Sequence, residues 1–262
     1  MVQPQIRYDD GAAYVRMMGA WSRIAGEIFL DWLAPPPGLR WIDVGCGSGA
    51  FTELLLQRCA PAEVRGIDPS EAQPSFARAR PAGRIAKFHR GDALALPFLE
   101  GNFDAAVMAL VIFLVPDPAK GVAEMVRVVC PGGIVTAYAW DMLGGGYPQE
   151  PIQVEMRSMG FTPPRPPNSD ASRMEVLQGL WTKAGLTAVE MRKISVQRTF
   201  NNFDEFWTNS LKGSSTDSIV AAMTSGDAEL LKARVRARLP ADVEGRITSS
   251  ARANAIRGRV PE

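Results

Sequence analysis

The chain has 262 residues, of which 46% are hydrophobic and 22% charged, so it is long and apolar enough to bury a sizeable core. Its formal net charge of +1 lacks the basic field of a dedicated nucleic-acid binder, and we expect no nucleic-acid partner. Because it has neither a signal-type N-terminus nor an apolar run of about 18 residues, we expect a cytoplasmic protein without a membrane partner.

Short apolar runs alternate with helical stretches between residues 39 and 141, a pattern typical of β-α-β units and a parallel sheet. The predicted strands of this region cover residues 40–44, 64–68, 86–90, 103–110 and 133–140. The predicted helices between them cover residues 49–59, 70–80 and 118–129. This alternation predicts an α/β fold with helices on both faces of the sheet.

The composition changes after residue 141, where three consecutive glycines and a proline-rich run predict a loop-rich insertion over residues 142–167. Beyond it, the predicted helices cover residues 172–184, 203–211 and 227–239, and the predicted strands cover residues 186–200 and 246–260. We expect one domain with four parts: an N-terminal helical cap (1–38), a cofactor-binding core (39–141), a substrate lid (142–185) and the C-terminal part of the sheet (186–262).

A glycine-rich turn follows the first strand directly. Asp43 ends that strand, and Gly45, Gly47 and Gly49 lead into the next helix. Glycines there let the backbone turn sharply and approach a ligand closely. Gly45, Gly47 and Ala50 also satisfy the dinucleotide pattern G-x-G-x-x-G/A, so an NAD-type and an adenosyl ligand both remain open at this point.

Two acidic residues follow at the ends of the next strands. Asp68, with Pro69 after it, stands where a carboxylate accepts hydrogen bonds from ribose hydroxyls, a role that suits both ligands. Asp92 and Ala93 end the third strand, where a carboxylate can meet an adenine amino group. A nicotinamide dinucleotide has less need of this second acid.

The later motifs complete a recognisable series. A fourth strand from Phe103 is followed by a Pro-Asp-Pro triplet around Asp117, and a Pro-Gly-Gly turn at Gly132 leads into the fifth strand. In this order and at these spacings, residues 40–140 resemble the class I S-adenosylmethionine-dependent methyltransferases. The resemblance is strongest to the type 11 methyltransferase domain, to which the quinone C-methyltransferases belong.

The resemblance implies a Rossmann-like, doubly wound sheet of seven strands in the order 3-2-1-4-5-7-6, with the last strand antiparallel, and S-adenosyl-L-methionine as the cofactor. Carried over residue by residue, the resemblance assigns the methionine part and ribose of the cofactor to the glycine turn. It assigns the ribose hydroxyls and the adenine to the ends of the second and third strands, and the sulfonium to the end of the fourth. The residues so assigned are Asp43, Gly45, Cys46, Gly47 and Gly49, then Asp68, Pro69, Asp92 and Ala93, and finally Met108 and Leu110.

Near the N-terminus, Tyr14 and the segment 18–23 resemble a helix that closes over the amino acid end of the cofactor in similar proteins. A tyrosine hydroxyl or an arginine there can bind the cofactor's carboxylate. Alternatively, Tyr14 and Trp21 form an aromatic stripe that packs this helix onto the domain.

No general base stands out, and the catalytic residues stay unassigned. His89 is the only histidine and lies within the third strand, where a packed residue is the better interpretation. Where relatives often carry histidines after the fourth strand, this chain has Phe113 and Leu114. The three cysteines, Cys46, Cys59 and Cys130, have no zinc-site spacing, so we expect free thiols and no metal.

These observations favour methyl transfer from S-adenosylmethionine to an oxygen, carbon or nitrogen of a small organic acceptor, driven by proximity and orientation. Two alternatives stay open: an NAD-linked oxidoreductase, and a regulatory protein that binds S-adenosylmethionine without catalysis. We expect a small-molecule acceptor as the partner and a monomer or homodimer as the assembly.

Overall fold

A computed structural model describes residues 11–79, 84–212 and 214–262, with side chains described from residue 18 onward. In these ranges seven strands form one sheet: β1 Arg40–Val44, β2 Glu63–Asp68, β3 Lys87–Arg90, β4 Phe103–Ala109, β5 Val129–Trp140, β6 Thr187–Phe200 and β7 Ile247–Arg259. The α-helices of the same ranges are α1 Gly11–Leu33, α2 Ala50–Arg58, α3 Ala72–Ala79, α4 Pro118–Val128, α5 Glu150–Ser158, α6 Met174–Lys183, α7 Phe203–Leu211, α8 Ser215–Ala221 and α9 Ser225–Arg238.

The strand order is β3-β2-β1-β4-β5-β7-β6, which confirms the predicted topology. The first five strands are parallel, and β7 pairs antiparallel with both β5 and β6. β1, β4 and β5 are buried along most of their length, which is why they read as continuous apolar runs rather than as alternating ones.

Aromatic side chains attach the helices to the sheet. In α1, Phe29 is fully buried and stacks on Tyr138 of β5 with a ring-centroid distance of 4.6 Å. On the sheet's other flank, the Trp181 Nε1–H of α6 donates to the Val135 carbonyl at 2.9 Å. Each such burial stabilises the fold by about 1.5–3 kcal/mol. None of the described helices, α1 included, has the length and hydropathy needed to cross a membrane.

The region predicted to be loop-rich contains a helix that the sequence pattern did not reveal. Residues 150–158 form α5, which has Pro151 in its first turn and buries Ile152 and Met156. Its buried face also includes Glu155, whose carboxylate is neutralised by Arg238 of α9 at 2.6 Å. Helix prediction depends on a continuous apolar stripe, and the buried Glu155 interrupts that stripe. Only the contact with Arg238 explains why a carboxylate is buried there.

Basic side chains of α9 attach this helix to α5 and α7. Lys232 and Arg236 both pair with Asp204 of α7, at 2.7 and 3.3 Å. Arg238 pairs with α5 as described above, and Arg234 donates to the Ser158 hydroxyl at the end of α5. The helix therefore uses its positive charges within the fold. The short helix α8 is a further element that the pattern did not predict.

Candidate active site

A cavity of about 1010 Å³ lies at the carboxyl ends of β1, β2, β3 and β4. Ligands of open α/β sheets bind at this edge, in the crevice where the strand order reverses. α1, the glycine turn before α2 and the proline-rich segment 165–167 also line it. Its size matches the upper range of small-molecule sites, about 300–1,000 Å³.

The glycine turn is held against the end of β2 by its own backbone. Gly45 and Cys46 both donate their N–H groups to the Ile67 carbonyl, at 2.7 and 3.0 Å. Gly45 has φ +76°, and a Cβ there would lie 2.4 Å from Val111 Cγ1. At Gly47, with φ +51°, a Cβ would have no described protein atom closer than 4.0 Å, so this position leaves open space at the cavity. Such a turn brings backbone close to a ligand.

Asp68 connects the turn to the cavity. Its two carboxylate oxygens accept the N–H groups of Gly47 and Ser70, each at 3.0 Å. Burial raises the pKa of the Asp68 carboxyl, while these two hydrogen bonds lower it. Each oxygen keeps a second lone pair, so the carboxylate can also accept from a diol such as the ribose hydroxyls.

Asp43 lies beneath the glycine turn and is fully buried. The Thr52 hydroxyl donates to Asp43 Oδ2 at 2.6 Å, whereas Oδ1 has no hydrogen-bond partner in the described part of the chain. Burial raises the pKa of Asp43 to about 7; the Thr52 hydrogen bond opposes this shift, and the Asp68 charge adds to it. An unsatisfied buried oxygen beside a cavity fits a site that expects a polar ligand.

The end of β3 contributes the third acid. Asp92 lines the cavity, and its Oδ1 accepts the Leu94 N–H at 2.9 Å, which fixes the turn after the strand. Pro69 and Ala93 line the same wall. The ends of β1, β2 and β3 thus place three carboxylates along one side of the cavity.

The structure brings nine of the sequence-predicted residues together as lining residues. They are Asp43, Gly45, Cys46, Gly47, Asp68, Pro69, Asp92, Ala93 and Leu110. Tyr14 lies among the residues whose side chains the structure does not describe.

Three other predicted residues do not line the cavity. Met108 is fully buried, and its Cε lies 3.2 Å from where a Cβ on Gly121 of α4 would stand, because strand alternation turns it away from the cavity; Ala109 lines it instead. Gly49 caps α2 at φ +77° and packs near Phe88, so its part is to form the turn. Trp21 is buried beside Phe200, which corresponds to the packing alternative.

The far end of the cavity is largely apolar and was not predicted residue by residue. Its walls come from the segment after β4, from the end of β5 and from the proline-rich segment. The lining residues there are Leu110, Val111, Phe113, Leu114, Val115, Pro116, Trp140, Tyr147, Arg165, Pro166 and Pro167. We call this the acceptor end. The one sequence feature that pointed to apolar walls here was the Phe113–Leu114 pair, which stands where relatives often carry histidines.

Asn168 anchors the proline-rich segment over the acceptor end. Its side-chain amide donates to the Val115 and Pro116 carbonyls at 2.6 and 3.2 Å, and its N–H donates to the Phe113 carbonyl at 3.0 Å. The segment is therefore fixed to the chain that follows β4. Tyr147 also lines the cavity, whereas Arg157 pairs with Glu150 of its own helix.

No described residue of the acceptor end is a histidine or a carboxylate. His89 packs edge-on against Phe98 at 6.2 Å, away from the cavity lining, and burial together with Arg65 and Arg78 lowers its pKa. Cys46 lines the cavity, but burial raises its thiol pKa well above the ordinary value, which keeps it protonated. The described groups offer no evident general base.

The strand order with an antiparallel β7 and the cavity over the glycine turn define the class I S-adenosylmethionine-dependent methyltransferase fold. The usual strand order of dinucleotide-binding folds, 3-2-1-4-5-6, has no antiparallel strand inserted between the fifth and sixth strands. Among solved structures, the YcgJ protein of Bacillus subtilis is similar over 92% of this chain and 99% of its own, with TM-score 0.60 and 17% identity. A Haemonchus contortus phosphoethanolamine N-methyltransferase 2, in complex with S-adenosylhomocysteine, is similar over 96% of this chain and 57% of its own, with TM-score 0.59 and 16% identity.

Residues 42–137 match the model of a methyltransferase domain family, and the sheet topology is that of the class I methyltransferases. S-adenosyl-L-methionine is the cofactor of the class, and this decides between the two ligands that the glycines alone left open. The comparisons thus favour methyl transfer over the NAD-linked alternative.

Curated relatives match part of the chain. A demethylmenaquinone methyltransferase of Desulfitobacterium hafniense is 36% identical over 106 residues, which are 38% of this chain and 42% of that protein. A 2-phytyl-1,4-naphtoquinone methyltransferase of Synechococcus elongatus is 38% identical over 117 residues, 43% of this chain and 48% of that protein. The chain thus matches less than half the length of these relatives.

Proposed function

We propose that the protein transfers a methyl group from S-adenosylmethionine to a small, largely apolar acceptor held at the acceptor end. The observation that carries the proposal is a single cavity with two contrasting ends. One end has a glycine turn and three carboxylates, and the other has apolar walls. The names of the curated relatives, which are quinone methyltransferases, support an apolar acceptor.

The residues present fit the cofactor. In our assignment, Asp68 holds the ribose hydroxyls, Asp92 and Pro69 hold the adenine, and the turn from Gly45 to Gly47 holds the methionine part. The unpartnered Oδ1 of Asp43 and the open space at Gly47 support this placement. When bound, the cofactor supplies a methyl group already activated by a sulfonium.

The remaining residues position the acceptor. The apolar walls exclude water and hold the acceptor in one orientation, an effect worth roughly 7–11 kcal/mol in well-oriented intramolecular models. Because the described residues of the acceptor end offer no carboxylate or imidazole, the acceptor is one whose nucleophile is ionised before it binds or needs no deprotonation. We assign the segment 142–185 as the acceptor-side cover of the cavity.

The direct test combines binding and turnover. The purified protein is titrated with S-adenosylmethionine, S-adenosylhomocysteine and NAD, and is then incubated with methyl-labelled S-adenosylmethionine and a panel that includes 1,4-naphthoquinol, phenols and amines. We expect micromolar binding of both adenosyl ligands, none of NAD, and S-adenosylhomocysteine formed in equal amounts with a labelled product. Adenosyl binding without turnover on any acceptor would instead support the non-catalytic alternative.

Asn168→Ala should raise the KM for the acceptor about 3- to 10-fold, while leaving the Kd for S-adenosylhomocysteine unchanged. The substitution removes the amide that fastens the proline-rich segment to the Val115 carbonyl, a loss of roughly 1 kcal/mol. Steady-state kinetics and isothermal titration measure the two quantities.

Asn202→Ala is the matched control, because Asn202 caps α7 by accepting the Glu205 N–H at 2.9 Å and does not line the cavity. A similar rise in KM in both variants would show that the effect reflects general destabilisation rather than the position of the segment.

A further inference from the structure

Two described arginines line the cavity, and they differ in their surroundings. Arg23 of α1 pairs with Glu27 at 3.0 Å and donates to Gln57. Arg165 of the proline-rich segment has no ion-pair or hydrogen-bond partner among the residues that the structure describes. A cation that lines a cavity without an internal partner is available to a ligand.

The chain holds Arg165 in a fixed frame. Pro164 and Pro166 flank it and are both buried, and proline fixes the backbone φ at each position. Two residues further on, Asn168 fastens the segment to the chain after β4, as described above. Because the backbone is already ordered, binding an anion there costs little additional conformational entropy.

The charges of the cavity are distributed unevenly. The described acidic lining residues are Asp43, Glu53, Asp68 and Asp92, which come from β1, α2 and the ends of β2 and β3. None of the described lining residues after Asp92 is acidic. The acceptor end therefore combines apolar walls with one guanidinium.

The same end carries a second donor without an acceptor. Trp140 lines the cavity, its side chain is 1% exposed, and its Nε1–H has no hydrogen-bond partner in the described part of the chain. A buried donor without an acceptor destabilises the fold. An oxygen-bearing ligand at this end would supply the acceptor.

We propose that the acceptor is an apolar molecule that carries an oxyanion, a carboxylate or a phosphate, and that Arg165 binds this group. This inference rests on the proposed function and names the class of its acceptor. A guanidinium offers two parallel N–H donors that match the two oxygens of either anion.

The test uses protein saturated with S-adenosylhomocysteine, titrated calorimetrically with 1-naphthoate, 1-naphthyl phosphate and the neutral 1-naphthamide. We expect at least one anion to bind about tenfold more tightly than the amide, the scale of one charged hydrogen-bonded pair. Arg165→Ala should abolish this preference, and Arg165→Lys should keep part of it. Arg192→Ala, an exposed arginine of β6 with no described partner and no place in the lining, is the matched control and should keep it in full.

Equal affinity for the anions and the amide, absence of anion binding, or a preference that survives Arg165→Ala would overturn the inference. In all three cases, S-adenosylhomocysteine would still bind and the proposed function would stand. Failure of S-adenosylhomocysteine itself to bind would overturn both.

Discussion

Asp68→Ala should weaken binding of S-adenosylhomocysteine about 10- to 100-fold. The carboxylate would lose its bonds to the ribose hydroxyls, and charged hydrogen bonds contribute about 1.5–3 kcal/mol. The substitution also removes the acceptor for the Gly47 N–H, so the glycine turn would lose one of the three hydrogen bonds that attach it to the end of β2. Isothermal titration of the folded variant measures the effect.

Two variants accompany this experiment. Asp68→Asn keeps one acceptor oxygen and should fall between the wild type and the alanine variant. Asp31→Ala removes an exposed aspartate of α1 that pairs with Arg58, and should leave the affinity unchanged. If a folded Asp68→Ala variant binds as tightly as the wild type, the ribose does not lie at Asp68.

Asp43→Asn should flatten the dependence of stability on pH in the ligand-free protein. Burial raises the pKa of Asp43 from 3.8 to about 7, so the folded state binds a proton more tightly than the unfolded state. The stabilising contribution of this group is complete below pH 4 and is lost as the pH rises through 7. Three pKa units correspond to a change on the order of 4 kcal/mol, measured by denaturant unfolding between pH 4 and pH 8.

Asp104 provides a control in which stability depends on pH with the opposite sign. Hydrogen bonds from Arg40 lower the pKa of Asp104 to about 2, so its contribution is complete above pH 4 and is lost as the pH falls through 2. The difference in stability between the wild type and Asp104→Asn should therefore grow with pH in the acid range. A difference between the wild type and Asp43→Asn that does not change from pH 4 to pH 8 would mean that Asp43 is ionised throughout.

The residues at the glycine-turn end of the cavity could be brought together from the sequence because their pattern is local. Asp43, Gly45 and Gly47 stand in one short turn, and the two later acids each end a strand whose place in a parallel sheet is implied by the alternating pattern. The carboxyl ends of parallel strands share one edge, so order along the chain was enough to bring these residues together.

The acceptor side was not predictable because it depends on contacts between distant segments. The segment that carries Arg165 is attached beside the cavity by Asn168, which bonds to carbonyls about fifty residues earlier in the chain. α5 was missed for a similar reason, since its buried Glu155 is compensated by Arg238, 83 residues away. Met108 was misplaced by a single residue, because neighbouring side chains of a strand point to opposite faces.

The position of β7 between β5 and β6 has a consequence for how the chain folds. β6 is joined to the rest of the sheet only through β7, although β7 lies about fifty residues further along the chain. On a ribosome, strands β1 to β5 can pair as they emerge, whereas β6 has to wait until residues 247–259 have been made. Closing such long-range pairs is slow, so the pairing of β6 with β7 should set the rate at which the finished sheet forms.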